Sequence, residues 1–137
     1  MGAMDIEQAR FNMVEQQIRT WDVLDQNVLD LLFAVHREKF VPAAWRDMAF
    51  TDMEIPLGHD EAMLQPKLEA RIVQELNIKK TDKILEIGSG SGYMTALLAS
   101  QGAHVYSIDI VAEFTHGAGA RLARHGIHNV TLETGDA

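Results

Sequence analysis

An α/β fold is predicted for this chain: a helical N-terminal subdomain over residues 1–78, then a doubly wound parallel sheet over residues 79–137. Three observations predict it. From residue 83 the pattern runs strand, helix, strand, helix, strand, an order satisfied by crossover connections between parallel strands. Glycines at alternate positions, Gly88, Gly90 and Gly92, separate the first strand from the first of these helices. Ahead of them, apolar residues recur mainly at helical spacing.

Along the chain, Ile6 to Trp21 predicts a helix with Ile6, Ala9, Met13, Val14, Ile18 and Trp21 on one side and Glu7, Arg10, Glu15 and Arg19 elsewhere. Asp25 is the expected N-cap of a second helix, with Val28, Leu31, Leu32 and Val35 as its apolar stripe. Pro42-Ala43-Ala44-Trp45-Arg46 is expected to start a short helix with proline in its first turn. Asp52 to Gln65, holding Pro56, Gly58 and the polar His59-Asp60-Glu61, is expected to be loop, where an acceptor site can sit. Pro66 opens a helix with Leu68, Ile72, Val73 and Leu76 facing inward. Strands follow at Lys83–Ile87, Val105–Asp109 and Asn129–Thr134. Between them one helix runs from Tyr93 to Gln101 and stops at Gly102 as a C′ glycine, and another covers Ala112 to His125 and stops at Gly126. Gly117 and Gly119 inside the latter predict a break or a late start.

Composition narrows the functional classes. The 137 residues suffice for one domain with a real core. A net charge of −8, with no Lys/Arg run, disfavours binding nucleic acid through a basic face. No apolar run has membrane-spanning length and no signal-like segment is evident. The lack of cysteine removes disulfides and thiolate nucleophiles and fits the cytoplasm. The six histidines show no metal-ligand spacing, so no metal is expected. Met1-Gly2-Ala3, ahead of Met4, reads as a cloning remnant.

A strand that turns through glycines onto a helix is a ligand cradle, with free N–H groups expected to face the ligand. Its spacing is G-x-G-x-G, not the G-x-G-x-x-G of dinucleotide sites, and Glu86 stands two positions ahead of Gly88. A carboxylate there repels a pyrophosphate, which argues against a nicotinamide-dependent oxidoreductase. It suits S-adenosylmethionine, whose methionine end carries an ammonium and a sulfonium. Asp109 ends the second strand at roughly the 20-residue distance of a ribose-hydroxyl acceptor. Asp136, after Gly135, adds a third acid.

These residues resemble the protein-L-isoaspartate O-methyltransferase family. The likeness runs through Met13-Val14-Glu15-Gln16-Gln17-Ile18, Phe40-Val41-Pro42, Asp52-Met53-Glu54-Ile55-Pro56-Leu57-Gly58, Gln65-Pro66, Leu85 to Tyr93, Asn129-Val130 and Gly135-Asp136. The resemblance implies a Rossmann-like S-adenosylmethionine-dependent methyltransferase fold, of which residues 79–137 are the first half, the C-terminal half being absent. It implies methyl transfer from S-adenosyl-L-methionine to the carboxylate of an isoaspartyl residue, a step of protein repair, and a partner that is a protein or peptide with a free carboxylate. It places the donor at Glu86, Gly88, Ser89, Gly90, Gly92, Tyr93, Asp109, Ile110 and Asp136. The family's acceptor loop reads T-I-S-Q-P, with hydroxyls that help to hold the acceptor. Here Ala62-Met63-Leu64-Gln65-Pro66 takes its place, so both hydroxyls are missing and the catalytic residues stay open, with His59, Leu64 and Gln65 as candidates. The alternatives are a methyltransferase with a changed acceptor and a non-catalytic donor-binding or interaction domain. With the chain stopping at Ala137, the first strand is expected at a sheet edge with apolar faces uncovered, open to self-association.

Overall fold

Asp5 accepts the Gln8 N–H at 3.0 Å and so caps helix α1, Ile6–Met13. The structure is a computed structural model that describes residues 5–137; the expectation for Met1 to Ala3 lies outside them. The chain divides into two units, one ending at Leu76 and one running from Asn77 to Ala137.

In the first unit α1 passes into a π-helical turn, Val14–Ile18, and a 3-10 turn, Arg19–Trp21, closing at left-handed Asp22 (φ 61°). Met13, Val14 and Ile18 are buried, as the spacing predicts, but Ile6 and Trp21 are exposed. The wide turn changes the phase of the apolar face and carries Trp21 off it. Arg10, expected on the outer side, is fully buried. Its guanidinium bonds Glu38 at 2.8 and 3.1 Å and Glu7 at 3.0 Å, and lies 5.2 Å from the Phe50 ring centroid, which offsets its desolvation.

Asp25 caps α2, Gln26–Ala34, by accepting from Asn27 N and Val28 N. Leu29 joins Val28 and Leu32 in the core, while Leu31 is only half-buried. Short 3-10 turns follow at Arg37–Lys39 and Ala43–Met48, the latter after Pro42.

The expected loop before Pro66 is instead an antiparallel hairpin, β1 (Ile55–Gly58) and β2 (Glu61–Met63), pairing Ile55 with Met63. Its turn residues, His59 and Asp60, both have positive φ (53° and 58°), as a type I′ turn requires. Burial of Ile55 and Met63 anchors the ladder, and Pro56 is tolerated where no inner strand needs its N–H.

Helix α3, Pro66–Leu76, begins under the Gln65 carbonyl, which accepts from Leu68 N and Glu69 N. Its buried residues are Pro66, Glu69, Ala70 and Val73, whereas Leu76 is exposed.

The second unit is a parallel sheet in the order β3-β4-β5, formed by Lys83–Ile87, His104–Asp109 and Val130–Thr134. Helix α4 (Tyr93–Ala99) makes the first crossover and α5 (Ala112–Arg124) the second. Register places Ile84, Val105 and Val130 on one face, packed with Leu98 and Ala99 of α4. Glu86, Ser107 and Leu132 share that face one pleat further along. On the other face Leu85, Ile87 and Tyr106 are exposed, and β3 is an edge strand.

Two glycine expectations change. Gly102 does not adopt positive φ; a Cβ there would stand 2.8 Å from Ile84 Cδ1 and 3.1 Å from the Asp82 carbonyl oxygen, so space rather than handedness requires glycine. Helix α5 runs unbroken through Gly117 and Gly119, since tertiary packing outweighs their low propensity. It ends as expected at Gly126 (φ 69°), with Ile127 N bonding Leu122 O and Gly126 N bonding Ala123 O in a Schellman motif.

Candidate functional site

The glycine turn leaves β3 with Gly88 at φ 95° and enters α4 from Gly92 at φ 90°, backbone conformations that side chains resist. The N–H groups of its three glycines and of Tyr93 have partners within the chain. Gly88 N donates to Ile108 O at 2.6 Å, Gly90 N to Asp109 Oδ2 at 3.1 Å, Gly92 N to Ser89 O at 2.9 Å, and Tyr93 N to Ser91 Oγ at 3.2 Å. The expectation of free N–H groups therefore does not hold for the three glycines, whose N–H groups are taken by acceptors within the second unit. Arg121, from α5, adds a clamp by donating to Ser91 O at 3.0 Å.

Asp109 ends β4 and organises this corner. Its second oxygen accepts Val111 N at 3.0 Å, and its carbonyl accepts Gly135 N at 2.9 Å, tying the end of β5 to it. Each carboxylate oxygen has two lone-pair sites, so each keeps one for a ligand donor.

Glu86 sits beside it, half-buried on β3. Ser107 Oγ and Thr95 Oγ1 both donate to Glu86 Oε1, at 2.6 and 2.5 Å. Ser107 Oγ is also 2.6 Å from Ser89 Oγ. Burial pushes the Glu86 carboxyl above its ordinary value, the two hydroxyls pull it down, and the Asp109 charge pushes it up again. Among the described residues nothing bonds Oε2, and that oxygen is not sealed from the surface.

Of the donor-side residues expected from sequence, Glu86, Ser89, Gly90 and Asp109 are thus joined in one network that includes the Gly88 and Gly92 turns. Tyr93 is buried, Ile110 is exposed, and Asp136 is exposed directly after Gly135. Ser107, Thr95 and Arg121 were not among the sequence candidates. Ser107 carried a signal: it alternates with buried Val105, so a hydroxyl was due on the covered face of β4.

The acceptor-side candidates belong to the first unit. His59 stands in the hairpin turn, the Leu64 carbonyl accepts from Arg37 Nη2 at 3.0 Å, and Gln65 directly precedes α3. Among the described residues no three His, Cys, Asp or Glu side chains gather as a metal site, and no helix is long and apolar enough to cross a membrane.

The family model for protein-L-isoaspartate(D-aspartate) O-methyltransferase matches residues 8–137. The chain belongs to that family. A protein-L-isoaspartate O-methyltransferase of Opitutus terrae is 40% identical over 134 residues, covering 95% of this chain and 58% of the relative. One from Syntrophus aciditrophicus is 37% identical over 130 residues, covering 95% and 60%. The chain therefore spans little more than half the length of these curated relatives. A Plasmodium falciparum structure described as a protein-L-isoaspartate O-methyltransferase, in complex with S-adenosyl-L-homocysteine, superposes with a TM-score of 0.72 at 17% identity, covering 97% of this chain and 64% of that one. At that identity the likeness establishes the fold: an α/β, Rossmann-like methyltransferase fold.

Proposed function

We propose that this chain carries the donor-binding part of an S-adenosyl-L-methionine-dependent protein-L-isoaspartate O-methyltransferase. The observation that carries the reading is Glu86, held through one oxygen and open at the other, beside a turn whose three glycine N–H groups are satisfied internally. Such a site favours a cation or a hydroxyl and repels phosphate, so the residues present fit this donor. Glu86 Oε2 and the remaining lone pairs of Asp109 are its acceptors; Gly88, Gly90 and Gly92 let the backbone come close, and Ser89, Ile110 and Asp136 border the site. When bound, S-adenosylmethionine supplies an electrophilic methyl group. An isoaspartyl carboxylate is already ionised at neutral pH, so its transfer asks for positioning and exclusion of water more than for a general base. Titration calorimetry with S-adenosylhomocysteine tests the reading. Lack of binding by folded protein would remove it.

A second reading, a changed or lost acceptor, is favoured by Ala62 and Leu64. Ala62 lies exposed on β2 and neither side chain can hydrogen-bond a carboxylate. A methyl-release assay with an isoaspartyl peptide separates the two: donor binding without turnover supports the second. The same proposal includes a protein or peptide partner with a free carboxylate, and self-association of this chain through edge strand β3 with its exposed Leu85 and Ile87. A monodisperse monomer by light scattering would exclude the self-association.

A further inference from the structure

We propose that Ser107 is a positioning residue of the donor site: with Ser89 and Thr95 it forms a directed hydroxyl chain that fills one oxygen of Glu86 and presents the other, Oε2, to the ligand. The ligand half of this inference rests on the donor reading above; the chain itself does not.

The direction follows from proton counting. With Glu86 ionised, the single Ser107 hydroxyl proton is committed to Glu86 Oε1. The 2.6 Å contact between Ser107 and Ser89 must then be donated by Ser89. Thr95 donates to the same Oε1 from α4. Both lone-pair sites of Oε1 are thereby taken, and Oε2 keeps both of its own. Ser107 and Thr95 are fully buried and Ser89 nearly so, which shields the chain from exchange with water.

Three elements converge on one oxygen: the glycine turn through Ser89, β4 through Ser107 and α4 through Thr95. The arrangement fixes the rotation of the carboxylate and links the shape of the turn to its charge. Among the described residues the charged group acting on Glu86 is Asp109, from β4; the turn and α4 face it with hydroxyls. Burial and Asp109 favour the neutral acid, while the hydroxyls of Ser107 and Thr95 favour the acceptor-only carboxylate.

The test uses the full chain and two readouts. Carbon-detected NMR of the Glu86 carboxyl, without ligand, gives its titration midpoint. Ser107→Ala and Thr95→Val each remove a donor to the charged form, so the midpoint moves to higher pH. Thr95→Ser keeps the hydroxyl and leaves the midpoint in place. In calorimetry with S-adenosylhomocysteine, Ser107→Ala and Thr95→Val weaken binding about tenfold and Thr95→Ser less than about twofold. Repeated in Glu86→Gln, the Ser107→Ala loss shrinks to less than about twofold, a coupling that a merely structural role would not produce. The Thr95 pair decides the matter even if Ser107→Ala fails to fold. Unmoved midpoints, or an undiminished Ser107→Ala loss in Glu86→Gln, would overturn the proposal. Normal midpoint shifts with no binding by the unsubstituted chain would support the hydroxyl chain and overturn the donor reading with its ligand half.

Discussion

Arg37 Nη1 donates to Glu69 Oε1 at 2.9 Å with both side chains almost wholly buried. The same guanidinium donates to Ala49 O at 2.8 Å and Leu64 O at 3.0 Å, so it joins the chain before Phe50, the end of the hairpin and α3. Removing it orphans a buried acid and two carbonyls. Arg37→Met is expected to destabilise the protein by about 3–5 kcal/mol at pH 8, where Glu69 must ionise alone or take up a proton. At pH 5 the loss is smaller, because the acid is then neutral at little cost. Urea unfolding at the two pH values measures the difference; equal losses would show that the ion pair does not set the cost.

Glu69 itself gives stability a pH dependence. Burial pushes its carboxyl up to about 7, against the pull of the Arg37 charge. The unfolded chain releases this proton near the ordinary 4.5, whereas the folded chain keeps it to about 7. Folded protein thus binds more protons in that window. The stabilising contribution is complete below 4.5 and is lost as pH rises towards 7. Glu69→Gln cannot titrate, so the natural chain should lose up to about 3 kcal/mol relative to that variant across the window. Parallel stability profiles for the two proteins would rule this out.

The glycine turn predicts an order of damage. Gly88 and Gly92 have similar positive φ, so alanine strains either by about 1–2 kcal/mol. At Gly88 the new Cβ meets nothing within 4 Å, but at Gly92 it stands 3.0 Å from Ala118 Cβ and 3.1 Å from Ala118 Cα. Gly92→Ala should therefore cost about 1–3 kcal/mol more than Gly88→Ala, through overpacking between α4 and α5. Ala118→Gly should recover part of that excess and do nothing for Gly88→Ala. Thermal melts of the four variants settle the order.

What was legible in the sequence was local. Asp25 and Gly126 announce a helix start and a helix end because capping needs only neighbouring residues. The acids at Glu86 and Asp109 meet because parallel strands set side by side bring both strand ends to one corner. What was hidden depended on remote partners. Arg10 looks like a solvent-facing residue until Glu38, 28 positions away, is placed against it. The hairpin at Ile55–Met63 was masked by Pro56 and a polar turn, and only burial of its two ends makes it hold. Gly102 signalled a turn correctly for the wrong reason, since its crowding comes from Ile84 in another element. In the candidate site the acids were visible and the hydroxyls that orient them were not. The alternation of Ser107 with buried Val105 puts it on the covered face of β4, but nothing local says that it meets a carboxylate there.

Asp109 and Glu86 offer a last prediction, because one acts on the other through charge. Asp109 raises the Glu86 carboxyl, after burial and against the two hydroxyls. Asp109→Asn removes that like charge, so Glu86 should titrate at lower pH, opposite to the shift expected for Ser107→Ala. The amide keeps one acceptor oxygen for the two N–H groups of Gly90 and Val111 that the carboxylate shared out. One of those groups loses its partner and the turn loosens, so affinity for S-adenosylhomocysteine should fall about tenfold or more even as Glu86 ionises more readily. The carboxyl resonance of Glu86 and a calorimetric titration read the two effects separately. A Glu86 midpoint that does not fall in Asp109→Asn would mean that the two acids do not sense each other across the turn.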